Sequence, residues 1–185
     1  MTDNTQPGGK HHGFPWRATG WSGLALLLSL PLILHFPWTA SDFVLAGVVL
    51  GGAGLIVELI VWASSSLTYR IGGLIALLAS VGLLWVNGAV GFLGDEHNPA
   101  NLLFLGVIAI AVAGAVVVRF KAAGLSRVLA ATALAQLLVG VVGYAAGWAS
   151  PGVAGLTEVA LGTALFGALW LSSAGLFHWA ARTGG

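Results

Sequence analysis

Six apolar stretches, each long enough to cross a lipid bilayer, constrain this sequence more than any other feature. A membrane-spanning helix needs about 20 mostly apolar residues to cross roughly 30 Å of hydrocarbon. None of the stretches alternates apolar and polar residues as the strands of a membrane barrel do. We therefore predict helices, which satisfy their own backbone hydrogen bonds in lipid. The predicted spans are residues 18–36, 43–63, 71–93, 102–118, 128–149 and 159–181.

The composition excludes several classes of protein. Charged residues make up 7% of the 185-residue chain and hydrophobic residues 58%, whereas a soluble domain carries about 25% charged residues. The absence of cysteine from the sequence excludes disulfides and thiolate metal sites. A formal net charge of +1 gives no reason to expect a nucleic-acid partner. The expected surroundings of this chain are therefore the lipid bilayer.

The charged residues indicate which way the spans run. With six spans, all lysines and arginines fall on one side of the membrane, and the acids of the connecting turns fall on the other. Because cytoplasmic loops are enriched in Lys and Arg, we predict that both termini are cytoplasmic. The predicted fold is an all-α, polytopic transmembrane bundle of six helices. We predict that residues 18–182 form the transmembrane domain and that residues 1–17 form a flexible cytoplasmic tail.

Polar residues within or beside the spans are candidates for an ion or proton site. Glu58 is the only acid inside a predicted span, and an intramembrane carboxylate is a functional candidate by default. The turn after the third span adds carboxylates and an imidazole, which can bind a hard cation or relay protons. The candidates are Glu58, Asn87, Asp95, Glu96, His97 and Gln136.

The same residues also have structural interpretations. Glu58 can pair with Arg70 or Arg119 at the inner boundary of the membrane. Asn98 or Asn101 can cap the fourth span, and polar side chains in the spans can hydrogen-bond between helices. The spacing of the polar turn matches no defined metal motif, so we predict no metal site.

Glycines spaced three or four residues apart predict close helix packing. Gly47 and Gly51 form one such pair, with Gly54 one turn further on, and Gly143 and Gly147 form another. In lipid, helices associate through close backbone approach and dispersion, which small residues permit. We expect these faces to pack within one chain, with contacts between chains as the alternative.

Four segments carry a resemblance to a known family. They are Trp-Val-Asn-Gly-Ala-Val-Gly at 85–91, Asn-Pro-Ala-Asn-Leu at 98–102, Arg-Phe at 119–120 and Ala-Thr-Ala-Leu-Ala-Gln at 131–136. Over roughly residues 37–182 the chain resembles a family of small bacterial inner-membrane proteins with no established activity. The resemblance implies a multi-pass protein of the bacterial inner (cytoplasmic) membrane and implies no reaction.

The sequence contains no phosphate-binding loop and no serine-hydrolase or metalloprotease motif. Together with short loops and small-residue faces, this predicts a non-enzymatic accessory, scaffold or assembly subunit of a larger membrane complex. Its partners would be other membrane subunits or a second copy. The alternative is a small oligomeric transporter or channel, with a polar path near Glu58, Asn87 and Gln136.

A third hypothesis is an intramembrane enzyme, or a lipid or pigment binder. It would use the outer turn at residues 94–101 together with Trp85 or Trp170. No cofactor is predicted, although contact with a lipid or pigment would fit this third hypothesis.

Overall fold

The computed structural model describes residues 16–95 and 97–184, and in this part of the chain every regular element is helical. No strand occurs among these residues, so the predicted all-α fold is confirmed. A 3₁₀ turn at Pro99–Asn101 precedes the fourth helix. The helices are α1 (Trp16–Ile33), α2 (Ala40–Ala63), α3 (Leu67–Ala89), α4 (Leu102–Val117), α5 (Ala122–Ala145) and α6 (Gly152–Arg182).

The helix lengths support a multi-pass membrane protein. Five helical segments, those that contain α2 to α6, are long and apolar enough to span a membrane, and α1 is a shorter apolar helix. Helix α1 stops before the end of its predicted span because the chain turns through a left-handed residue, His35. There the backbone N–H of Phe36 donates to the carbonyl of Pro31 at 2.8 Å, which closes the helix end.

The chain divides into two compact units, Met1–Gly54 and Leu55–Gly185. In the first unit, the carboxylate of Asp42 accepts hydrogen bonds from the backbone N–H and the hydroxyl of Thr39, at 2.7 and 2.8 Å. These bonds cap the start of α2. Further along α2, a Cβ on Gly54 would lie 2.9 Å from Cδ1 of Leu24. The missing side chain of Gly54 therefore lets α1 approach.

The second unit is built on four helices. Helix α6 packs against both α3 and α5, while α4 packs against α5 and, less extensively, against α3. Buried residues recur every three or four positions along the facing sides, as on α5 at Leu125, Leu129, Thr132, Gln136 and Gly140. This is the spacing of an antiparallel helical bundle. Hydropathy alone does not mark the buried side, because the outer faces are also apolar.

The second unit separates its charges between two ends. At one end the Tyr69 hydroxyl donates to the carbonyl of Phe120 at 2.7 Å, and at the other the Asn98 amide donates to the carbonyl of Trp148 at 3.0 Å. We name the end with Tyr69 and Phe120 the basic end. The end with Asn98 and Trp148, which also carries Asp95 and Glu158, is named the acidic end. The basic end carries Arg70, Arg119, Lys121, Arg127 and Arg182.

Large apolar side chains cover the outside of the second unit. Trp62 is 86% exposed and Val117 79% exposed, among many exposed leucines and valines. A soluble monomer rarely exposes apolar patches of this extent, whereas hydrocarbon contact makes them favourable. The surface therefore supports contact with a lipid bilayer.

Candidate functional site

The chain leaves helix α3 earlier than the predicted third span, at Ala89. Residues 90–95, which we name the plug segment, turn inward at the acidic end. Phe92 and Leu93 are buried there. A Cβ on Gly143 of α5 would lie 2.6 Å from Leu93 Cδ2, and a Cβ on Gly162 of α6 would overlap the Phe92 ring. Phe92 and Leu93, which the sequence predicts to lie in a membrane helix, are instead core residues of an irregular segment.

Buried Asn101 holds the plug segment in place. Its Oδ1 accepts hydrogen bonds from the backbone N–H groups of Phe92 and Leu93, at 3.0 and 2.9 Å. Its Nδ2 donates to the carbonyl of Asp95 at 2.7 Å. Two residues after the end of α3, Gly91 has a φ of 76°, which suits glycine. The sequence marked Asn101 only as a helix cap, and no signal in it indicates this wider role.

The polar turn at residues 94–101 is organised by local hydrogen bonds. Asp95 Oδ1 accepts from the backbone N–H of His97 at 2.9 Å, and both residues are exposed. Asn98 caps the 3₁₀ turn, because its Oδ1 accepts from the N–H of Ala100 at 3.0 Å. Glu96 lies outside the described residues. Among the residues that are described, no three His, Asp or Glu side chains are grouped so as to hold a metal ion.

Two candidate amides lie inside the second unit. Asn87 donates from Nδ2 to the carbonyl of Leu83 at 3.0 Å, while its Oδ1 has no partner among the described residues. Gln136 is 0% exposed, and neither its Nε2 nor its Oε1 has a partner in that part of the chain. A buried polar group without a hydrogen bond costs about 1–3 kcal/mol. Gln136 is therefore the most unusual polar residue of the core.

The proposed polar path joins residues at different depths. Glu58 is half-buried near the end of α2, Gln136 lies in the middle of α5, and Asn87 lies near the acidic end of α3. The three residues therefore lie at different positions along the helices of the second unit. The third hypothesis also used two tryptophans. Trp170 is fully buried, and Trp85 is exposed.

The candidate glycines have different surroundings. Gly54 and Gly143 lie in close contacts, as described above, whereas a Cβ on Gly47 or Gly51 would meet nothing within 4 Å. Gly147 has a φ of 72° and ends α5. Its role in the structure is conformational, since a Cβ there would also meet nothing within 4 Å.

Two apolar grooves mark the second unit. The first, about 270 Å³, lies between α3 and α4 near the basic end, and we name it the basic-end groove. The second, about 820 Å³, lies between α5 and α6, and we name it the α5–α6 groove. Neither groove is lined by Glu58, Asn87 or Gln136. Sequence reasoning missed both grooves, because each depends on which helices pair.

The turn between α4 and α5 has an unusual backbone. Arg119 and Phe120 have φ angles of 53° and 56°, a left-handed conformation that is uncommon for residues other than glycine. Such a residue costs about 1–3 kcal/mol and persists only where its surroundings fix it. Here the hydrogen bond from Tyr69 fixes Phe120, whose side chain lines the basic-end groove.

The Gln136 amide, which has no hydrogen-bond partner among the described residues, leads to a stability prediction. We expect Gln136→Leu to raise the free energy of unfolding by about 1–3 kcal/mol, because it removes a buried polar group without hydrogen bonds. The matched control is Thr132→Val on the same face, since the Thr132 hydroxyl donates to the Val128 carbonyl at 3.0 Å. Thermal unfolding in a mild detergent measures both. A Gln136→Leu protein less stable than Thr132→Val would contradict the prediction.

The described part of the chain thus offers two apolar grooves, a pair of buried amides and an ordered plug segment. Comparisons of the chain with protein-family models, with curated proteins and with solved structures find no match. The functional proposals below rest on the geometry of the second unit.

Proposed function

We propose that this chain is a non-enzymatic accessory subunit of a membrane complex, and that its α5–α6 groove receives a transmembrane helix of another subunit. One observation carries the proposal. Helix α6 presents Ala160, Ala164 and Ala168, spaced four apart and exposed, along this groove. Small residues at this spacing let helix backbones approach closely in lipid, where dispersion drives association.

The sides and floor of the groove also suit a helix. A Cβ on Gly167 would meet nothing within 4 Å, so the floor has open space. Leu137 of α5 and Leu171 of α6 line the groove and are exposed. Ridges of this kind fit into the grooves of a neighbouring helix. The shape and apolar lining favour a protein helix over a polar substrate.

We also infer the setting of the subunit. The separation of cations and acids supports an orientation with the basic end in the cytoplasm. The family resemblance supports the bacterial inner membrane. Under this proposal both termini are cytoplasmic.

Site-specific cross-linking tests the proposed docking. Because these 185 residues include no cysteine, a single introduced cysteine can carry a benzophenone photo-cross-linker. We expect Ala164→Cys to give a protein adduct of one discrete mass in native membranes. Ala113→Cys, on an exposed position of α4 outside both grooves, is the matched control and is expected to give lipid adducts only.

A second pair of variants tests whether the groove itself holds the captured protein. We expect Ala164→Phe to reduce co-purification of that protein about tenfold or more, because a ring overfills a close helix contact. Ala113→Phe is expected to leave it unchanged. Lipid adducts alone at both cysteine positions, or equal effects of the two phenylalanine variants, would contradict the docking proposal.

The second candidate function is the small transporter or channel. The Gln136 amide and the Asn87 Oδ1, which have no hydrogen-bond partner among the described residues, favour it. Under the accessory proposal, wild-type protein in liposomes conducts no ions or protons above the lipid background. A flux that is present in wild type and lost in Gln136→Leu would favour the channel instead.

A further inference from the structure

We propose that the basic-end groove binds an acyl chain of an anionic phospholipid, whose phosphate lies against Arg119 and Lys121. This site lies between α3 and α4 and is separate from the α5–α6 groove. It does not depend on the accessory role. Three features of the groove support it: its length and lining, the charges beside it, and the fixed turn that joins them.

The length and lining of the groove suit a hydrocarbon chain. From Tyr69 to Ser80 on α3, the lining covers about 16 Å at about 1.5 Å per residue. That is close to half of the roughly 30 Å hydrocarbon core, which is the depth of one leaflet. Its polar side chains are already bonded: the Tyr69 hydroxyl donates to Phe120, and the Ser80 hydroxyl donates to the Ala76 carbonyl at 2.9 Å. A polar ligand would find few hydrogen-bonding groups there.

Two cations adjoin a residue that lines the groove. Phe120 lines it, and Arg119 and Lys121 stand on either side of that residue in the chain. Both cationic side chains are exposed and make no hydrogen bond or ion pair with any described residue. By contrast, the Arg70 guanidinium is engaged, because it donates to two backbone carbonyls at the end of α2, at 2.9 and 3.2 Å. Arg119 and Lys121 are therefore the cations available to a phosphate.

The turn that carries these cations is fixed. Arg119 and Phe120 both adopt the left-handed conformation, Phe120 lines the groove, and the Tyr69 hydroxyl donates to the Phe120 carbonyl. Cations carried on a fixed backbone turn beside an apolar groove fit a lipid, which has an anionic head and an apolar chain. In the predicted orientation they face the cytoplasmic leaflet, whose anionic lipids attract Lys and Arg near its surface.

Native mass spectrometry of the purified chain in an uncharged detergent tests the charge requirement. The probes are phosphatidylglycerol and phosphatidylcholine with identical acyl chains. We expect wild type to bind one phosphatidylglycerol more tightly than phosphatidylcholine. A cation near a membrane surface strengthens attraction to anionic lipid about fivefold. The Arg119→Gln/Lys121→Gln variant is therefore expected to bind phosphatidylglycerol about 25-fold more weakly, with phosphatidylcholine unchanged.

The matched control is Arg127→Gln/Arg182→Gln, which removes the same charge from the basic end. Neither residue lines the groove or adjoins a residue that does, so a smaller loss is expected. Retained helical circular dichroism shows that the variants fold. Equal affinity of wild type for the two lipids, or equal losses in the two double variants, would overturn the proposal.

A second variant pair tests the chain-binding part of the groove. Ala115 lines the groove on α4, and Ala113 on the same helix does not. We expect Ala115→Leu to fill the groove and weaken binding of both lipids, while Ala113→Leu leaves binding unchanged. Unchanged lipid binding in a folded Ala115→Leu protein would overturn the placement of the acyl chain.

Discussion

Substitution of Asn101 by leucine is expected to lower the free energy of unfolding of the second unit by about 3–5 kcal/mol. The change leaves the backbone N–H groups of Phe92 and Leu93 without the acceptor they share, and the Asp95 carbonyl without its donor. Each buried group left without a hydrogen bond costs about 1–3 kcal/mol. Leucine has a similar size, so the effect reports the lost hydrogen bonds rather than a cavity. Chemical unfolding in detergent measures it.

Asn98→Ala is the matched control for this prediction. Asn98 lies in the same turn, where it caps the 3₁₀ turn and donates to the Trp148 carbonyl. Its loss is expected to cost about 1 kcal/mol, as for other helix caps. Limited proteolysis gives a second readout. In the Asn101→Leu protein the plug segment is released from the core, so the chain becomes cleavable within residues 90–95. A loss no greater than that of Asn98→Ala would show that Asn101 does not hold the plug segment.

The helices could be predicted because the bilayer leaves few choices. Long apolar stretches must form helices in hydrocarbon, and charged residues must stay near the ends of those helices. The sequence therefore indicates the number of helices and their approximate positions in the chain. The end of α3 could not be predicted in this way. Phe92 and Leu93 are as apolar as a membrane helix, and hydropathy does not distinguish lipid contact from burial in an irregular segment. Within residues 90–94, the local signs that the chain turns early are the glycines at 91 and 94.

Some features of the candidate sites could be predicted from the sequence, and others depend on tertiary contacts. Gln136 stood out in the sequence because an amide is rare among apolar residues, and the structure places it in the core. The grooves could not be predicted, because they depend on how α5 pairs with α6 and α3 with α4. The left-handed pair Arg119 and Phe120 also had no signal, since both residue types normally avoid that conformation. Tertiary contacts, here the bond from Tyr69, select it.

Gly162→Ala is expected to destabilise the second unit by about 1–3 kcal/mol or more, as overpacking of a dense core does. An alanine Cβ at this position would overlap the ring of Phe92, which is itself buried and packs against Phe104 and Phe166 with ring centroids 5.0 and 5.6 Å apart. The matched control is Gly167→Ala on the same helix, where the added Cβ meets nothing within 4 Å. There the better helix propensity of alanine is expected to give up to about 1 kcal/mol of added stability. Thermal unfolding in detergent compares the two.

A double-mutant cycle with Phe92→Ala separates the ring contact from other effects of the new methyl group. Phe92→Ala alone is expected to cost about 3–5 kcal/mol, because it leaves a cavity in the core. In that background the added methyl group of Gly162→Ala occupies space the ring has left. The second substitution is then expected to cost little or to restore some stability, which gives a coupling energy of about 1–3 kcal/mol. Additive losses, or equal effects of Gly162→Ala and Gly167→Ala in the wild-type background, would mean that Phe92 does not pack against α6 and that the plug segment lies elsewhere.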